Sequence, residues 1–431
     1  MQTDNDYDYP DSYYAETLGK TPMRPALMHP LDVDVCVIGA GLAGLTTALE
    51  LLRKGKSVCV LEAKRVAWGA SGRNGGFVNV GFAGSTTDMV KRLGHKNAAE
   101  AFQLSVDGVD YVRRQIKDLK MGDVLEGEGE FRVYRTDDAQ AALRDCTNTK
   151  DISGDDLTYY DTGQTRAIMN SERYHHAVYD PRGFHIDPLK YCHGLAAEIE
   201  RLGGHIFEGT KARDLTRSGT GWKITAHEAA ISARHVVLCT SAYDFKLYPP
   251  VSRAMQPVAT YVMVTDPMKD LLDQVISSNA CIADTRRAGN YYRRLPDGRL
   301  LWGGRITTRQ SEPFQLAQIM GRDMLSVYPQ LSTAETSHAW AGLMGYALHS
   351  MPLIGQVENG LWMATAFGGH GLNTTAMAGF LIAGAISGDD NRYKLFAPYK
   401  RNWAGGPVGR AGVQAKYWAM QIQDWFDEKN Q

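Results

Sequence analysis

The chain has 431 residues, of which 44% are apolar and 22% charged, a globular composition long enough for two domains that excludes disordered and fibrous classes. Its 47 Lys and Arg nearly balance 48 Asp and Glu, so no basic excess marks a nucleic-acid partner. No apolar run approaches the roughly 20 residues that cross a bilayer, and the Asp-, Tyr- and Pro-rich start lacks the pattern of a signal peptide, so a cytoplasmic location without membrane attachment is expected.

Residues 1–30 read as an extended arm with little regular structure. The nearly continuous apolar run 33–38 has the character of a parallel strand covered on both faces. Gly39, Gly41 and Gly44 follow it, then apolar residues at helical spacing from Leu45 to Arg53, and Gly55 as a stop. A second apolar strand, 57–61, ends at Glu62, completing a β-α-β unit. Further on, 195–202 reads as an amphipathic helix, 205–207 and 222–225 as strands, and 235–242 as a buried strand entering a small-residue turn. Between about 255 and 340, alternating and aromatic segments such as Tyr291-Tyr292-Arg293-Arg294 suit a more antiparallel sheet. A buried strand returns at 360–366 and an apolar helix at 375–385. The expected segmentation is an arm (1–30), a discontinuous nucleotide domain (31–120, 171–250 and 341–400), an inserted domain (121–170 and 251–340) and a C-terminal extension (401–431). In that extension Trp418, Ile422 and Trp425 recur at helical spacing, which predicts a helix packed against the body, with a partner surface as the second reading.

Cys36, Cys59 and Cys239 lie inside apolar runs and no CxxC spacing occurs, so free buried thiols are expected and neither a disulfide framework nor a metal site. His175-His176 has no acidic or Cys partner at ligand spacing and reads as a loop feature.

Glycine is common, so GxGxxG alone says little; here it stands between a strand and a helix, and an acid ends the next strand. Gly39 permits the turn, Gly41 lets backbone approach a pyrophosphate, and Gly44 lets helix and strand pack. The helix start, at Leu42 and Ala43, offers free N–H groups to the phosphates. Glu62 suits the hydroxyls of an adenosine ribose and repels a 2′-phosphate, which disfavours NADP. Two further small-residue loops, 69–76 and 367–374, favour FAD over NAD: the first is rich in backbone donors, and the second opens a helix whose N–H groups can stabilise charge on a reduced flavin.

These segments carry a resemblance. Ser12-Tyr13-Tyr14-Ala15, the glycine fingerprint and Gly69-Ala70-Ser71-Gly72-Arg73-Asn74-Gly75-Gly76 are similar to those of the glycine oxidase/D-amino-acid oxidase superfamily, most of all its γ-glutamylputrescine oxidoreductase branch. So are Asp187-Pro188-Leu189, Tyr291-Tyr292-Arg293, the run 300–304, Met351-Pro352 and Gly369-His370-Gly371, so that the resemblance spans nearly the whole chain. It implies an α/β fold: a Rossmann FAD-binding domain of the glutathione-reductase type with an inserted α+β substrate domain on an antiparallel sheet. It also implies oxidation of a small-molecule amine by hydride transfer to flavin, hydrolysis of the imine, and oxygen as the usual reoxidant with release of hydrogen peroxide. Expected cofactor contacts are Gly39, Gly41, Leu42, Ala43, Gly44, Glu62, Ala63, Ala70, Ser71, Arg73, Asn74, Gly75, Gly76 and Ala212, with Gly369, His370, Gly371, Leu372, Asn373 and Thr374 at the second helix start.

Departures from the pattern bear on the substrate. Sarcosine-oxidase-like members place a Lys where this chain has Asn373, and attach their flavin to a cysteine upstream of the Gly-His-Gly. No cysteine follows Cys281 here, so FAD is expected to be non-covalent. The γ-glutamylputrescine branch usually has Arg where this chain has Ala339. Candidate catalytic or substrate-contacting residues are Tyr292, Arg293, Arg305, Trp340, His370 and Asn373, together with Tyr291. Each has an ordinary structural counterpart: a loop histidine, solvated strand arginines, core aromatics. Three readings stay open. They are an oxidase of a polyamine-derived or similar amine, an oxidase or dehydrogenase of a cyclic or secondary amino acid such as pipecolate or proline, and a flavin-binding protein without catalysis.

Overall fold

Tyr13 and Tyr14 are buried, and they turn part of the expected arm into a short helix, α1 (Tyr13–Leu18), capped by the Ser12 hydroxyl. Residues 7–226, 229–244 and 246–429 are described by the structure, a computed structural model. Next come β1 (Leu31–Ile38), α2 (Leu42–Arg53) and β2 (Val58–Leu61). Successive side chains of a strand face opposite ways. Val35, Val37, Val58 and Val60 accordingly join one core with Leu45 and Leu49, while Cys36, Ile38, Cys59 and Leu61 join another with Trp222 and Ile224. All six cysteines are free.

The first sheet has eight strands. Leu361–Thr365, Ala229–Leu238, β1, β2 and His205–Phe207 run parallel in that order, and Leu353–Glu358 adds antiparallel at the edge. A hairpin of Ala212–Ser218 and Gly221–Ala226 runs antiparallel off Ala229–Leu238. The second sheet has nine strands and takes in β3 (Phe77–Val78) and β4 (Leu125–Tyr134), which flank the long helix α3 (Thr86–Asp118). It is antiparallel except where Cys281–Asp284 pairs parallel with β4. Its strand Met255–Thr265, second from one edge, is buried at every position. This is the mixed α/β architecture expected.

The strand His176–Ile186 pairs with β4 in the second sheet, and Thr336–Ala347 lies in that sheet over its whole length. Two expectations are corrected. His176 is a buried strand residue whose ring contacts Asp137 and Tyr159, not a loop feature. The C-terminal helix Gly406–Lys429 leaves Trp418, Ile422 and Trp425 more than half exposed and turns Asp424 and Glu428 toward the body. Charge pairing rather than apolar burial holds it. No helix among the described residues is long and apolar enough to cross a membrane.

Candidate active site

A cavity of about 1030 Å³ begins where β1 and β2 end and runs between the two sheets. It lies at the upper end of the roughly 300–1,000 Å³ usual for small-molecule sites. At one end the chain leaves β1 through Gly39, whose φ of +108 favours glycine. A side chain there would come within 2.7 Å of the Cys239 carbonyl oxygen. At Gly44 a Cβ would lie 1.9 Å from the Gly39 carbonyl oxygen, so α2 can pack this close only without one. The N-terminus of α2 therefore opens onto the cavity, where Gly39, Gly41, Leu42 and Ala43 line the wall. Glu62 and Ala63 stand beside them. The Glu62 carboxylate accepts from the Ala40 and Lys64 amides, at 2.8 and 2.9 Å, and burial pushes its pKa up. Ala212 completes this end.

The loop 69–76 forms the middle of the wall through Ala70, Ser71, Arg73, Asn74 and Gly75. Ser71 Oγ accepts from the Leu42 amide at 3.0 Å, and Asn74 Nδ2 donates to the carbonyls of Ala70 and Ser71. Arg73 stacks over Trp68, 4.1 Å from the ring centre, and donates from Nε to the Trp68 carbonyl. Its Nη2 is buried without a hydrogen-bond partner, and burial lowers its pKa. An orphaned guanidinium nitrogen beside a cavity calls for an acceptor that a ligand brings.

On the far side the helix Gly371–Ser387 starts at the cavity, and Gly369, His370, Gly371, Leu372 and Asn373 line it. Burial pushes His370 down to about 4, so its ring is neutral near pH 7. Two helix N-termini, a cradle of small residues and the unpaired Arg73 nitrogen together fit a long dianionic dinucleotide such as FAD.

Several expected residues stand elsewhere. Gly44 and Gly76 do not line the cavity; a Cβ on Gly76 would meet the Ile186 carbonyl oxygen at 2.1 Å, so its smallness serves strand packing. Thr374 spends its hydroxyl on the His370 carbonyl. Asn373 lines the wall, but its amide donates to Gly81 O at 3.0 Å and reaches Ser105 O, binding the helix to α3.

Four of the catalytic candidates lie outside the cavity lining. Tyr292 faces away from the cavity, stacked on Trp302 at 4.5 Å with its hydroxyl between those of Tyr174 and Tyr328. Arg293 is fully buried and engages Glu126, Gly75, Tyr14 and Ile186. Arg305 lies outside the cavity, its fork on Asp323. Trp340 is buried and donates to Arg73 O at 2.9 Å, so it supports the wall from behind. Tyr291 does line the cavity, with its hydroxyl pushed up to about 12 by burial.

Residues outside the sequence expectations also line the cavity: Asn79, Glu130, Arg132, Met344 and Tyr346. Burial pushes Glu130 up to about 7. The one signal in the sequence was the alternation of Glu130 and Arg132 with Phe131 and Val133. That pattern also describes any half-exposed strand.

The chain matches the family model DAO, described as FAD dependent oxidoreductase, over residues 34–385. It is 31% identical over 400 residues to a probable oxidoreductase, OrdL, of Haemophilus influenzae, a match covering 90% of this chain and 91% of the relative. To the γ-glutamylputrescine oxidoreductase of Escherichia coli it is 30% identical over 393 residues, 90% and 92% of the two chains. The crystal structure of glycine oxidase from Geobacillus kaustophilus aligns with a TM-score of 0.74 at 18% identity, covering 86% of this chain and 99% of that one.

Proposed function

Because the chain belongs to the DAO family of FAD-dependent oxidoreductases, we propose that it oxidises the C–N bond of a substituted amine of the γ-glutamylputrescine type, held beside non-covalent FAD in the cavity between the two sheets. The observation that carries the reading is the continuity of that cavity. One continuous space joins Gly39 and Gly41, the unpaired Arg73 nitrogen and the helix start at Gly371 to a polar pocket on the second sheet. The 30% identity to the E. coli γ-glutamylputrescine oxidoreductase supports the substrate class.

FAD, when bound, supplies the acceptor for two electrons. The start of α2 and its glycine loop would hold the pyrophosphate, and Glu62 the ribose hydroxyls. Arg73 and the amides of Gly371 and Leu372 would face the flavin end. His370, neutral near pH 7, presents no second cation there. Tyr291 stays protonated and can donate a hydrogen bond into the substrate space. Met344, Ile306 and Phe367 line the same space and exclude water from it. The amine must be neutral when its α-hydrogen leaves, so a wall that lowers its pKa assists. The oxidised carbon becomes an imine, which water converts to a carbonyl and a free amine; oxygen is the proposed reoxidant, in the cytoplasm.

The test is an anaerobic absorbance titration of the purified holoprotein with γ-glutamylputrescine, putrescine, spermidine, pipecolate, proline, sarcosine and D-alanine. Bleaching of the flavin band by γ-glutamylputrescine at the lowest concentration is expected, with recovery when air is admitted. A flavin bleached by pipecolate or proline instead would replace the substrate assignment, and one that no member bleaches would refute it.

A further inference from the structure

The polar end of the cavity is built by an irregularity in β4. Gly129 stands at φ +84, and the register with His176–Ile186 shifts between Glu128 and Glu130. A bulge of this kind re-aims the side chains that follow it. Phe131 and Val133 enter the core with Tyr174 and Ile282. Glu130 and Arg132 therefore take the opposite face, and both line the cavity.

Glu130 is 8% exposed. It accepts a hydrogen bond at Oε1 from Asn79 Nδ2, 2.7 Å away, and among the described residues no cation lies within ion-pair distance of it. Arg132, its side chain 47% exposed, pairs instead through Nη1 with Asp145, at 3.4 Å. A buried carboxylate with one neutral donor and no ion-pair partner is held unfavourably ionised; burial pushes it up to about 7, with Arg132 acting the other way and Asp180 adding to the rise. A ligand ammonium would supply the missing charge. Two residues along the same strand face, about 6.6 Å apart at the backbone, Arg132 offers a planar fork suited to a carboxylate.

We propose that Glu130, oriented by Asn79, binds an ammonium group of the substrate while Arg132 binds a carboxylate on the same carbon, so that β4 recognises a free α-amino-acid end. This rests on reading the cavity as an amine-oxidising site, and it assigns the pair to the end that does not react. A carboxylate beside the reacting nitrogen would stabilise its protonated form and oppose hydride departure. At a distal ammonium the same stabilisation becomes binding energy and selects against plain diamines, which lack the carboxylate.

The test uses binding to the holoenzyme by calorimetry, which needs no turnover. The probes are L-glutamine, glutaramate (the same molecule without the α-ammonium) and 4-aminobutanamide (the same molecule without the carboxylate). L-Glutamine is expected to bind about tenfold or more tighter than either, the size of one hydrogen bond to a charged group. Glu130→Gln should erase the preference over glutaramate and Arg132→Gln the preference over 4-aminobutanamide. Equal binding of L-glutamine and glutaramate by the unmodified protein would overturn the proposal without any variant having to fold. So would a Glu130→Gln protein that keeps the preference. If no amine bleaches the flavin, the oxidase reading fails by itself, and the calorimetric comparison still decides the subsite.

Discussion

Arg293 Nε donates to the carbonyl oxygen of Gly75 at 2.7 Å, tying the second sheet to the loop that lines the middle of the cavity. The same guanidinium pairs with Glu126 and donates to Tyr14 Oη and Ile186 O, each at 3.0 Å. One buried cation thus joins the N-terminal helix, two strands and the cofactor loop. Removing it leaves Glu126, 6% exposed, as an uncompensated buried charge, a change that costs about 3–5 kcal/mol. Arg293→Met should lower the thermal midpoint and the flavin bound per chain together. A substrate-contacting arginine would instead raise KM with both left unchanged.

Arg73 is the complementary case, a cation with a donor to spare. Arg73→Lys keeps the charge but loses the fork and the stacking on Trp68. We expect flavin affinity to fall about tenfold with little change in unfolding midpoint of the apoprotein. Flavin release followed by fluorescence measures the first and apoprotein denaturation the second; unchanged affinity would mean that no cofactor oxygen meets the orphaned nitrogen.

At Gly44, substitution to alanine puts a methyl group 1.9 Å from the Gly39 carbonyl oxygen. Overpacking of this kind costs about 1–3 kcal/mol, and here the strain falls on the loop proposed to hold the pyrophosphate. Gly44→Ala should be purified largely colourless and take up added FAD about tenfold more weakly. A fully yellow Gly44→Ala protein would contradict the close packing of helix and strand.

The part of the site made of glycine loops was legible because small residues between a strand and a helix have few other uses. The part made of charged residues was not. Arg293 and Arg305 looked like substrate ligands as strand arginines, yet their partners Glu126 and Asp323 could be named only once the sheet had been assembled. Glu130 reads in sequence as one more exposed acid in Glu126-Gly127-Glu128-Gly129-Glu130; the bulge at Gly129 separates it from Glu128. Tyr291 and Tyr292 were equal candidates until strand alternation sent one to the cavity and the other to the Trp302 core.

Stability should fall on the acid side through three histidines. Burial and the nearby Arg293 hold His185 at about 3, and burial above all holds His193 and His370 at about 4, against an ordinary value of 6.5. At these three positions the unfolded chain therefore binds more protons than the folded one between pH 6.5 and pH 4, and their contribution to stability rises with pH across that window. It is fully present above pH 6.5 and lost as pH falls toward 4. Burial raises Glu130 to about 7 and Asp187 to about 6, which acts the opposite way. The measure is therefore the difference between the unmodified protein and His185→Gln in urea unfolding from pH 7 to pH 4: the slope should differ by one proton, about 1.4 kcal/mol per pH unit. An identical slope in that variant would mean that His185 is already charged in the fold.

The C-terminal helix reverses the usual rule that the apolar face packs inward. Trp418, Ile422 and Trp425 are 59%, 56% and 54% exposed, while Asp424 is 7% exposed and Glu428 accepts from Arg135 at 3.0 Å and from Arg286. Arg135 is itself 4% exposed, so loss of Glu428 leaves a nearly buried cation with Asp284 at 4.0 Å as its remaining ion-pair partner among the described residues. Glu428→Ala should therefore cost about 2 kcal/mol, less than for a fully enclosed pair because the carboxylate is 15% exposed, and should open the helix to limited proteolysis. Trp425→Ser, on the outer face, should change stability by no more than about 0.5 kcal/mol. The reverse ranking, with Trp425→Ser the more damaging, would mean that the tryptophan face is covered in solution and that the charges follow the docking rather than cause it.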